Sequence, residues 1–81
     1  MKLDYAERFI KSLEDAPPPI QKAFYKQSRL LLENLRHPSL RAKKYDEARD
    51  IWQARVTRDW RLYFRIVADT YYLIDIIRHP K

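Results

Sequence analysis

Between Trp52 and Ile66 the chain reads Trp-Gln-Ala-Arg-Val-Thr-Arg-Asp-Trp-Arg-Leu-Tyr-Phe-Arg-Ile, and Arg61, Tyr63 and Arg65 recur at every second position. On a β-strand that spacing sends all three side chains to one face. Arg55 holds the matching place in the preceding stretch, where Gln53, Arg55 and Thr57 alternate with Trp52, Ala54 and Val56. A face lined with guanidiniums is costly to bury unless it pairs internally or meets anions. Each guanidinium presents a fork that fits two phosphate oxygens. Near the C-terminal end stands His79, an imidazole suited to acid or base work. Phosphoryl transfer without a metal needs a base, an acid and cations that stabilise the charge on the phosphorane. Arg61 suits the cationic role and His79 a proton-transfer role; their plainer readings are a salt bridge from Arg61 to Asp75 or Asp59, and a surface histidine. Arg41, Lys43 and Lys44 suit RNA backbone contacts or, equally, a solvated loop. Tyr63 can stack on a base or simply cover the sheet. With two histidines and no cysteine, neither a metal site nor a cofactor is expected.

The charge balance agrees with a polyanion partner. Seventeen Lys and Arg oppose eleven Asp and Glu, a formal net charge of +6. Nine of the basic residues and only four of the acidic ones fall between Arg36 and Arg65, so the positive field is concentrated there. A solvated basic surface is the plainer alternative. The absence of glycine excludes a P-loop and a dinucleotide fingerprint. Turns must then use residues such as Asp59 and Asp69, since aspartate tolerates left-handed backbone better than most. The 81 residues suffice for one small domain, residues 1–81, and the lack of cysteine suits a reducing cytoplasm. No leader-like or membrane-spanning apolar run is present.

The elements that must position these groups follow from pattern. Lys2-Leu3-Asp4 suits a short edge strand, and Asp4 with Glu7 forms a capping box opening a helix. Ala6, Phe9, Ile10 and Leu13 give that helix one apolar stripe, and Pro17-Pro18-Pro19 ends it. A second helix runs from about Pro19 to Arg36, with Ile20, Ala23, Phe24, Leu31 and Leu35 on one face, until His37-Pro38 stops it. His37 itself reads as a capping residue. Leu40, Ala42 and Lys44 alternate with Arg41, Lys43 and Tyr45, which allows a short strand. The alternating stretch around Arg55 and Arg61 is a β-hairpin. Tyr71 to Arg78 is apolar on both sides, Tyr72, Ile74 and Ile76 against Tyr71, Leu73 and Ile77, as a strand in mid-sheet would be. The expected class is α+β, a two-helix hairpin packed on one face of a small, mostly antiparallel sheet of three to four strands. The opposite face then carries Gln53, Arg55, Arg61, Tyr63, Arg65, Asp75 and His79.

The order of two helices, Leu40-Arg41-Ala42-Lys43-Lys44, Ala-Arg-Val-Thr-Arg-Asp-Trp-Arg-Leu-Tyr-Phe and a strand ending in His-Pro resembles the RelE/ParE toxin superfamily of bacterial type II toxin–antitoxin modules. The likeness spans nearly the whole chain. It implies a microbial RNase-type fold and, in the RelE and YoeB-like branches, an endoribonuclease that cuts mRNA on the ribosome and is silenced by a cognate antitoxin. Arg61 matches the family's phosphate-binding arginine, Arg55 its RNA-holding arginine, and His79 a catalytic histidine near the C-terminus. The sequence departs from the YoeB-like pattern in two places: Pro80 stands where a tyrosine follows the histidine, and Pro38 and Ser39 stand near the place of the glutamate base. Those departures keep two alternatives open, a ParE-like poison of DNA gyrase that needs no acid or base, and an inactive member that only binds its antitoxin.

Overall fold

The computed structural model describes residues 1–79. The chain forms β1 (Lys2–Tyr5), α1 (Glu7–Asp15), α2 (Pro18–Glu33), a single 3-10 turn (Pro38–Leu40), β2 (Lys43–Asp46), β3 (Ile51–Thr57), β4 (Trp60–Val67) and β5 (Thr70–Arg78). The strands make one five-stranded sheet in the order β1-β5-β4-β3-β2, antiparallel except where β1 runs parallel to β5. The expected α+β arrangement of two helices on a mostly antiparallel sheet is present. Both short edge strands form, which brings the strand count to five.

Alternation along the hairpin decides which face is covered. Ala54, Leu62 and Phe64 are fully buried, and Phe9 of α1 and Phe24 and Leu31 of α2 close over them. The Phe9 and Phe24 rings meet at 5.1 Å between centroids, so the two helices join through the core beneath them. Fully burying a side chain of this size contributes about 1.5–3 kcal/mol. No helix among the described residues is long and apolar enough to cross a membrane.

Local departures from the sequence pattern have physical causes. Asp4 does not cap α1: it lies in β1 opposite Tyr72, and the helix opens after Ala6 with no side-chain cap. Ladder pairing with β5 outbids a capping bond for the same residues. Ile10 lies 45% exposed, so α1 buries a narrower stripe than its apolar residues suggest. The second helix stops at Glu33 rather than Arg36, because Asn34 is extended and its side chain accepts from the Arg36 N–H at 2.9 Å.

The last strand holds a bulge. Tyr63 pairs with Asp75 but the next residue, Phe64, pairs with Leu73, which leaves Ile74 as an extra residue. The alternation therefore changes phase there. Tyr71, Leu73 and Ile76 are buried in the core, while Tyr72, Asp75 and Ile77 stand opposite Arg65, Tyr63 and Arg61. That partition corrects the strict alternation expected for this strand. The turns at 58–59 and 68–69 exist, but Asp59 and Asp69 do not take left-handed backbone. Arg41, Asp50 and Ala68 do, with φ of 45°, 58° and 55°.

Candidate nucleic-acid interface

On the face opposite the helices, Arg41, Lys43, Gln53, Arg55, Arg61 and His79 line a cleft of about 250 Å³. The register explains the gathering. Arg55 stands directly across from Arg61, and Lys43 directly across from Gln53, so three adjacent strands deliver cations to one patch. Arg41 arrives from the 3-10 turn, whose Leu40 is fully buried and whose His37 ring nitrogen Nδ1 accepts from the Ser39 N–H at 3.1 Å. Among the described residues four cations share this cleft, and no carboxylate lines it.

Arg61 is held by backbone rather than by an acid. Its Nη1 donates to the carbonyls of Thr57, Trp60 and Arg58 at 2.8, 3.0 and 3.1 Å, which folds it against the hairpin turn. Asp75 instead meets Arg8 of α1, Nε to Oδ2 at 2.9 Å, and among the described residues no ion pair uses Arg61. His79 is placed by its own N–H, which donates to the Asp59 carbonyl at 2.5 Å, and the exposed residue lines the cleft.

The remaining candidates separate. Lys44 is not in the cleft: it pairs with Asp50 and Glu47 and lies over the Trp52 ring, 5.2 Å from its centroid. Its neighbours hold it charged, the hydrogen bond to Asp50 foremost. Arg65 is exposed, donates from Nε to the Arg49 carbonyl at 3.1 Å and lies outside the cleft. Tyr63 sits beside the cleft, edge-on to Tyr45 with ring centroids 4.9 Å apart. Burial, then Tyr45 and Asp75, push its phenol above the ordinary value of 10.0, while Arg61 opposes them. The hydroxyl stays protonated near neutrality and can donate.

Two glutamines do more than the sequence suggested. Gln53 is only 7% exposed and forms part of the cleft wall. Gln27, buried in α2, donates to the Arg55 carbonyl at 2.8 Å and the Ser39 carbonyl at 3.3 Å, and its Oε1 accepts from the Ser39 hydroxyl at 3.4 Å. It thereby fixes the loop that carries Arg41 against the strand that carries Arg55. A polar residue on an otherwise apolar helix face was the one available sign of it.

Comparison with known proteins follows the same lines. The family model described as the ParE toxin of the type II toxin–antitoxin system parDE matches residues 3–81. No curated protein sequence matches the chain. Among solved structures, the YoeB/ParE toxin from Agrobacterium tumefaciens superposes with a TM-score of 0.82 at 14% identity, covering 99% of this chain and 100% of that one. The archaeal RelE–RelB complex from Pyrococcus horikoshii gives 0.79 at 14% identity, covering 99% and 96% of the respective chains. The isolated Escherichia coli RelE toxin gives 0.77 at 18% identity, with 98% and 84% covered. At these identities the likeness is one of fold.

Proposed function

The chain belongs to the ParE toxin family of type II toxin–antitoxin systems, and from its cationic cleft we propose that it is a metal-independent endoribonuclease that cuts mRNA on the ribosome and stops translation. The observation that carries this reading is the Arg55–Arg61 pair, two guanidiniums in direct cross-strand register in a cleft that no carboxylate among the described residues lines. Like charges so placed repel, and a phosphate between them turns that repulsion into attraction. Arg61 has one nitrogen on the turn carbonyls, which leaves the rest of its fork to meet a phosphate and stabilise the phosphorane. Lys43 and Arg41 extend the cation track along the RNA backbone. His79 supplies the proton-transfer group, protonating the departing 5′-oxygen or accepting the 2′-hydroxyl proton.

A second reading has its own observation. Among the described residues His79 is the one imidazole lining the cleft and no carboxylate joins it, so these residues do not assemble a full acid and base pair. That favours a ParE-like binder of DNA gyrase, for which a cationic surface suffices. In either case the partner that silences the protein is a cognate antitoxin, by analogy with the RelE–RelB and DinJ–YafQ complexes. A purified translation system, with RNA 5′ ends mapped for wild type and Arg61→Ala, separates the readings. Cuts inside translated codons that vanish in the variant support the nuclease. Intact message beside arrested gyrase supercoiling moves the function to gyrase.

A further inference from the structure

Arg8 lies on α1, yet its guanidinium serves the sheet face. The bulge at Ile74 turns Asp75 toward that face, and α1 begins where β1 ends beside β5. Asp75 is 5% exposed and its Oδ2 forms an ion pair with Arg8 Nε at 2.9 Å. Its Oδ1 accepts from the Ile76 N–H at 2.9 Å. The Arg8 side chain itself is 77% exposed. A buried carboxylate thus pairs with the inner nitrogen of an arginine whose side chain stays largely exposed and can take a second acceptor. Beside it lies a notch of about 180 Å³ lined by Arg8, Tyr45, Tyr63, Ile74 and Ile77 among others, with the two tyrosines edge to face. Tyr63 and Asp75 form the register pair next to Arg61 and Ile77, so the notch adjoins the cleft by one row, ~6.7 Å along the strand.

We infer that Arg8, oriented by Asp75, and the Tyr45–Tyr63 ledge form a second subsite that takes the nucleotide of single-stranded RNA next to the one held between Arg55 and Arg61. The outer nitrogens of Arg8 bind its phosphate, and its base packs on the tyrosine ledge and the isoleucines. Stacking of this kind tolerates any base, because every base presents a π-face. The subsite rests on the RNA-binding reading given above.

The test uses a hexaribonucleotide carrying 2′-O-methyl groups, which cannot be cut, and a nucleoside 3′-phosphate, which fits the cleft alone. Arg8→Gln keeps a donor for Asp75 and removes the charge. It should weaken hexamer binding roughly tenfold and flatten the salt dependence by about 0.7 in slope, the value of one phosphate contact on a single strand. Mononucleotide affinity should stay as in wild type. Equal weakening toward both ligands with a lowered midpoint would mean that Arg8 only ties α1 to β5, and would overturn the subsite. Unchanged hexamer binding in Arg8→Gln, with binding lost in Arg61→Ala, would overturn the subsite and leave the cleft intact. A wild-type protein indifferent to the hexamer would overturn both. Should Arg8→Gln not fold, Arg8→Ala combined with Asp75→Asn removes both charges together and is read in the same way.

Discussion

Lys43 and Lys44 are consecutive in β2 and belong to different worlds. Lys44 faces the helix side, where Asp50, Glu47 and the Trp52 ring satisfy it. Lys43, across from Gln53, joins three arginines in a cleft that no acid among the described residues lines. The sheet as a whole is divided in the same way. Its covered face closes on itself through Phe9, Phe24, Leu62 and Phe64, and Gln27 finds partners for its amide. Its bare face sets Arg55 against Arg61 in register, an opposition that costs about 0.2–1 kcal/mol until an anion arrives. One face carries stability and the other gives some up for binding. Substitutions on the two should therefore separate folding from function.

The largest effect belongs to the covered face. Phe64→Ala should cost about 3–5 kcal/mol, a large part of the roughly 4–12 kcal/mol available to a chain this size, and be seen as a fall in thermal midpoint of tens of degrees. Arg61→Ala should lower message cleavage by about 10²–10³-fold with little change in midpoint. If its activity and stability fell together, the division between faces would not hold. Gln27→Ala strips a donor from the Arg55 and Ser39 carbonyls and should cost about 1–3 kcal/mol by denaturant titration, with faster amide exchange in the loop that carries Arg41. The smallest effect has the opposite sign. Arg55→Gln should raise stability by about 0.2–1 kcal/mol in buffer free of multivalent anions, and added phosphate should erase the gain by stabilising the wild type. A destabilised Arg55→Gln would show that the arginine packs more than it repels.

The same contrast explains what could be read from the chain alone. In the hairpin every second residue changes character, so the pleat assigns faces directly, and Arg55, Arg61 and Tyr63 fell where alternation put them. In β5 both faces are apolar, so a slip of one residue at Ile74 left no trace in the pattern. Lys43 and Lys44 are chemically alike, and only the register with Gln53 and Trp52 tells them apart. Arg8 was invisible for another reason: its partner Asp75 is distant in sequence, and helical periodicity does not tell that a helix side chain reaches round a sheet edge. Gln27 was hidden similarly, since its acceptors are carbonyls, which every residue has.

The parallel pairing of β1 with β5 bears on how the molecule is assembled. Lys2 meets Thr70 and Tyr5 meets Leu73, partners from nearly opposite ends of the sequence. Closing so long a loop is slow, and β5 is also the strand that covers the open edge of the hairpin. A chain emerging residue by residue holds β3 and β4 with that edge bare until Thr70 to Arg78 follows. The same late segment carries Asp75, which sets Arg8, and leads into His79, whose N–H docks on Asp59. Unfinished chains thus possess the arginines without the groups that orient the rest of the bare face, and on the proposed nuclease reading they stay inert until Thr70 to Arg78 has docked.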